Sequence, residues 1–122
     1  MSYDLRLGVK IADTDRIAVV DEPEYSSPTY NLREMFVACM DWDYHQGEWY
    51  KVADVWDKIN NGISELHKNP KKYRAMEPDN GWGTVSSAIL ALESLRDCIE
   101  KRSDEYWYGD TAIPIEYLWM RW

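Results

Sequence analysis

Hydrophobic and polar positions alternate from the start of the chain. Tyr3, Leu5, Leu7, Val9 and Ile11 interleave with Asp4, Arg6, Gly8, Lys10 and Ala12. A period of two over that length predicts a half-buried strand. Asp13-Thr14-Asp15 supplies a turn and Arg16 to Val20 a second β-prone run, so an antiparallel hairpin is expected. Pro23 and Pro28 then interrupt the pattern, because a proline brings no donor to a strand ladder.

Beyond this loop the period lengthens to that of a helix. Leu32, Met35, Phe36, Cys39 and Met40 fall on one face, with Asn31 placed to cap the helix and Glu34 three residues on, as in a capping box. The helix is expected to fade over residues 41–47. A second helix is predicted from about Glu48 to His67, on a stripe of Val52, Val55, Trp56, Ile59, Ile63 and Leu66, and Asn69-Pro70 ends it. Residues 71–83 read as a structured turn around the Asn80-Gly81 step.

Gly83 or Thr84 caps a third helix that turns Val85, Ala88, Ile89, Leu92, Leu95 and Ile99 inward, and Lys101 to Glu105 form a solvated exit. The tail from Ile113 to Trp122 alternates again and predicts a strand beginning after Pro114. The expected order is β-β-α-α-α-β: a single α+β domain over residues 1–122. Its small sheet is built from the N-terminal hairpin and the C-terminal strand, with the helices on one face.

Charge narrows the possible partners. The 122 residues carry 22 acidic and 14 basic side chains, a formal net charge of −8. That balance excludes a general coat on long nucleic acid and disfavours anionic lipid. No apolar run approaches the roughly 20 residues that cross a bilayer, and Met1 to Arg6 lack the pattern of a secretory signal. A cytoplasmic protein is expected. Cys39 and Cys98 both lie on apolar helical stripes and read as reduced, packed thiols.

Candidate chemistry is sparse. Asp41, Asp43, His45 and Glu48 are the densest group of possible metal ligands. Their spacing lacks the glycine and distal glutamate of a calcium loop, and acids at a helix exit and the next helix entry explain them without an ion. His67 near a helix C-terminus is explained by the macrodipole. There is no Gly-x-Ser-x-Gly elbow and no cysteine in an electropositive stretch. The expectation is a protein that is not an enzyme, with no metal and no cofactor.

Two loops carry the remaining chemistry. Tyr25 to Asn31 precedes the first helix and Asn80 to Thr84 the third. Each combines small or hydroxyl residues, an aromatic ring and the N–H groups of a helix N-terminus, which suits an anion with a ring stacked beside it. The candidate ligand-binding residues are therefore Tyr30, Asn31, Arg33, Trp82, Gly83 and Thr84, with Lys10, Arg33 and Arg121 available to neutralise charge. Ordinary capping and turn formation explain Asn31 and Thr84 equally well. Seven Trp and nine Tyr also exceed what one small core needs. The clusters Trp42, Tyr44, Trp49, Tyr50 and Tyr106-Trp107-Tyr108 suggest a pocket or a homo-oligomer interface.

Tyr3-Asp4-Leu5-Arg6-Leu7-Gly8-Val9, Pro28-Thr29-Tyr30-Asn31-Leu32, Asn80-Gly81-Trp82-Gly83-Thr84 and the closing strand together resemble small uncharacterised proteins of phages and prophages of Gram-positive bacteria. The resemblance implies an accessory or counter-defence factor acting in the host bacterial cytoplasm, and it carries no functional residue with it. Two classes of function follow. One is sequestration of a small nucleotide-derived immune signal by the two loops. The other is direct inhibition of a host defence protein by an acidic surface that imitates nucleic acid. A structural or assembly component acting through an oligomer interface is the plainer third.

Overall fold

The computed structural model describes residues 4–11, 14–24, 29–44, 48–105, 107–108, 111–112 and 117–121. The elements run β1 (Asp4–Lys10), β2 (Ile17–Asp21), a 3-10 turn (Tyr30–Leu32), α1 (Arg33–Met40), β3 (Glu48–Lys51), α2 (Val52–Lys68), α3 (Pro70–Arg74), α4 (Val85–Glu105), β4 (Trp107–Tyr108), β5 (Thr111–Ala112) and β6 (Tyr117–Arg121). The α+β class read from the sequence is the class of the fold.

One sheet has the strand order β2-β1-β6-β3, and a separate hairpin pairs β4 with β5. The hairpin β1–β2 is antiparallel, with an irregularity of register at Leu7/Gly8. The last strand lies antiparallel against the first, Leu5 opposite Met120 and Leu7 opposite Leu118. The chain therefore closes on itself through its two ends.

Three stretches depart from the expectation. Glu48 to Lys51 are a strand and not the first turn of the second helix, because β6 offers them a partner, Trp49 opposite Trp119 and Tyr50 opposite Leu118. Aromatic residues favour a pleated, half-buried surface, and that partner lies far away in sequence. Pro70 begins the short helix α3 where a turn was expected; a proline is tolerated at a first helical position, where its missing N–H has no partner to lose. Residues 101–105 continue α4, and Trp107-Tyr108 form a strand in place of a loop.

One side of the sheet and the helices share a core. Leu5 and Leu7 from β1, Met35, Phe36, Cys39 and Met40 from α1, Val55, Ile59 and Leu66 from α2, and Ala88, Leu92, Leu95 and Ile99 from α4 are all buried in one cluster. Tyr73 of α3 is fully buried against them. The three long helices approach closely at Gly62, where an added Cβ would lie 2.6 Å from Met40 Cγ. No described helix is long and apolar enough to cross a membrane.

Candidate functional site

The two loops singled out by their chemistry meet. Asn80 Oδ1 accepts a hydrogen bond from the Trp82 N–H at 2.9 Å, a side-chain-closed turn that suits the Asn-Gly step. Gly83 follows with φ of +99°, a conformation costly for a residue with a Cβ. A Cβ there would also lie 3.3 Å from Asn31 Cβ and 3.4 Å from Leu32 Cδ2. Gly83 thus lets one loop rest directly on the other, with Asn31 at the junction.

The helix ends are less open than the sequence suggests. Thr84 caps α4, its Oγ1 accepting from the Ser87 N–H at 3.1 Å. The Glu77 carboxylate accepts from the Val85 N–H at 2.8 Å. An internal anion therefore holds the place at this helix start that an external phosphate would want. Asn31 does not cap α1. The residue in that position is Leu32, with helical backbone angles and no side-chain cap bond, since the chain enters through the 3-10 turn. Thr29 serves that turn instead, accepting the Leu32 N–H on its carbonyl at 3.1 Å.

Alongside the junction runs an open groove of about 610 Å³, lined by Asn31, Arg33, Glu34, Val37, Ala38, Asp43 and Met76. Its volume suits a small ligand. Arg33 Nη2 donates to Asp43 Oδ1 at 3.1 Å and to the Tyr44 carbonyl at 3.3 Å. The guanidinium also lies 4.8 Å from the centroid of the Tyr44 ring, within cation–π range. Tyr44 is buried and Trp42 packs on it, centroids 5.2 Å apart. Arg33 is thus held from several sides on a rigid aromatic base. Trp82 is 67% exposed and does not fill the edge of the core.

The other expected residues fall elsewhere. Lys10 sits on the sheet, 3.9 Å from Asp15. Arg121 belongs to β6, opposite Asp4. The side chain of Tyr30 and all of His45 lie outside the described residues. Asp41 closes α1 with φ of +50°, Asp43 meets Arg33 and Glu48 enters β3. Among the described residues no three such ligands converge as a metal site would require.

Sequence reasoning missed the groove's apolar floor. Val37 and Ala38 follow Arg33 and Glu34 by four residues, so they share that flank of α1, where they are partly buried, packed against the core on one side and lining the groove on the other. An apolar pair among the polar positions was the available signal. Met76, supplied by the turn after α3, gave none, because only the fold places it there.

A second cleft, of about 510 Å³, separates the end of β2 from α4 and is lined by Asp21, Glu22, Glu24, Ser94, Asp97, Cys98 and Lys101. Cys98 Sγ donates to Asp21 Oδ2 at 3.3 Å. Both cysteines are free thiols. Burial pushes the Cys39 thiol up to about 12, so it is neutral and unreactive at ordinary pH.

No family model, curated protein or solved structure matches this chain. The functional reading therefore rests on the residues and their geometry.

Proposed function

We propose that this chain is a non-enzymatic binding protein of phage type that sequesters a small nucleotide-derived immune signal in the groove along α1. The observation that carries the reading is the contact of Gly83 with Asn31 beside a groove of about 610 Å³. It joins the two loops that the sequence marks as ligand-like, and Asn31 carries that junction to the edge of the groove. Val37, Ala38 and Met76 offer a surface for a base or ribose, Arg33 a fixed cation, and Asn31 a polar edge. Glu34 and Asp43 share the rim, so the ligand favoured is one with few negative charges, such as a cyclic dinucleotide or an ADP-ribose derivative. Polyphosphates are repelled by those carboxylates and by Glu77 at the start of α4.

Isothermal titration with a panel of cyclic oligonucleotides and ADP-ribose derivatives tests this. Binding that weakens by about tenfold or more in Arg33→Ala and in Val37→Glu is expected. Absence of heat for every member overturns the reading.

The acidic cleft between β2 and α4 favours a second reading. Asp21, Glu22, Glu24 and Asp97 gather carboxylates there, as an inhibitor that imitates nucleic acid on a host defence protein would need. Such binding falls steeply with salt and is indifferent to Arg33→Ala and Trp82→Ala. The two readings thus separate in one set of variants.

A further inference from the structure

A protruding ring and a recess lie side by side on this molecule. Trp82 is 67% exposed, more than any other large apolar side chain among the described residues. Its N–H is fixed by Asn80 Oδ1, and it stands between Gly81 with φ of +77° and Gly83 with φ of +99°. A Cβ on Gly81 would meet nothing within 4 Å, so the turn projects from the surface. Gly83 rests on Asn31, and Asn31 lines the α1 groove. Adjacent Cα atoms are about 3.8 Å apart, which puts the attachment point of the indole one residue from the edge of the groove. Trp82 itself does not line the groove. Its ring and the apolar surface of Val37, Ala38 and Met76 are neighbours on one patch.

The charges around the two features are complementary. The groove carries the carboxylates of Glu34 and of Asp43, the latter paired with Arg33. The chain that leads to Met76 and on to Trp82 carries Lys71, Lys72 and Arg74, all exposed. Of the two acids that follow, Glu77 is committed to the Val85 N–H and Asp79 is exposed. The segment bearing the ring is thus basic on its approach, and the recess beside it is edged by acids.

We propose that a second copy of the chain docks on this patch across a two-fold axis, each Trp82 entering the α1 groove of its partner. A two-fold contact needs a surface that complements itself, and a projecting ring next to a recess is such a surface. A small ligand in the groove would leave the indole in water, and a foreign protein would have to match ring and recess separately. About 100–170 Å² of each indole is open to cover. Doubled and matched by the groove walls, this comes to about 400–700 Å², below the standard size of a specific interface. The dimer is therefore a weak one that forms with rising concentration, at about 10–100 μM. The inference does not depend on the nucleotide reading. Where both hold, dimer and ligand compete for one groove.

Sedimentation velocity on the intact chain from about 5 to 500 μM tests this. The wild-type mass should rise toward that of two chains. Trp82→Phe should keep the association, while Trp82→Ala, at an exposed position, should weaken it about tenfold or more. Val37→Glu should also weaken it, as should Glu34→Arg, an exposed change that alters the groove without threatening the fold. Trp82→Ala should bind nucleotide at least as well as wild type, because it removes the competing ring. A dimer that forms while no nucleotide gives heat supports this inference and overturns only the sequestration reading. A wild-type chain that stays monomeric throughout overturns it. So does association that survives Trp82→Ala, or that is lost in Trp82→Ala yet unchanged in both groove variants, since the ring would then dock elsewhere.

Discussion

The two faces of the four-stranded sheet arise from a single alternation in β1 and have come to differ in almost everything else. Inward, Leu5 and Leu7 enter a core with α1, α2 and α4. Outward, Gly8 leaves room for Ile17 and Trp49 to close over the backbone while Lys10 and Lys51 stay exposed. The inner face holds the fold together by removing apolar surface from water. The outer face packs Ile17 and Trp49 around one glycine and carries exposed charge at Lys10 and Lys51. Burial of apolar surface and display of charge are thus divided between opposite sides of the same strands.

The largest test of that division is Leu7→Ala. Leu7 is fully buried, and its truncation should cost about 2–5 kcal/mol of unfolding free energy in urea denaturation. A cost below about 1 kcal/mol would place the stabilising contacts elsewhere. Next is Gly8→Val. Even the first added carbon would stand 2.6 Å from Ile17 Cγ2 and 2.9 Å from the Ala18 carbonyl oxygen. Backbone must move, and a loss of about 1–3 kcal/mol is expected. Neutrality in the same denaturation assay would show that the outer cluster is loose.

The third test reads the layer under the inner face through pH. Cys39 is held neutral by burial to about 12, against an ordinary value of 9.0. Above pH 9 the unfolded chain therefore gives up a proton that the folded protein keeps. Stability is full below that value and falls as pH rises toward 12, by up to about 1.4 kcal/mol per pH unit. Cys39→Ala should flatten this slope. Some slope should remain, because the Tyr73 phenol is also raised, first by burial and then by Glu65 and Cys39. The smallest effect belongs to Lys10→Gln/Lys51→Gln, expected to change stability by no more than about 0.5 kcal/mol. A larger loss in thermal melts would mean that the outer cations hold the fold.

Only part of the candidate site is legible from local chemistry: Asn31 and Arg33 line the groove, while Trp82, Gly83 and Thr84 are not among its lining residues. Asn31, Arg33 and Gly83 were marked by loop composition, and the fold brings them to one corner. Of the two caps expected for α4, Gly83 or Thr84, it is Thr84 that accepts the Ser87 N–H, whereas Asn31 does not cap α1, because a 3-10 turn moves the start of α1 by a residue. The carboxylate of Glu77 at the head of α4 left no sequence signal, since it depends on how residues 77–85 fold back. The exposed aromatics expected around the helix break proved to be partly structural: Tyr44 is buried, and Trp42 packs edge-on against Tyr50 with centroids 4.9 Å apart.

The sequence by itself determined the α+β class, the opening hairpin, the helical stripes and the two loops, because each of these follows from residues near one another in the chain. Only the tertiary structure decided that Glu48 to Lys51 extend as a strand, that Met76 lines a groove, and that the tip of the Trp49 ring comes to Gly8 on another strand. Those outcomes depend on partners tens of residues away, where the periodicity of a single segment carries no information about what it will meet.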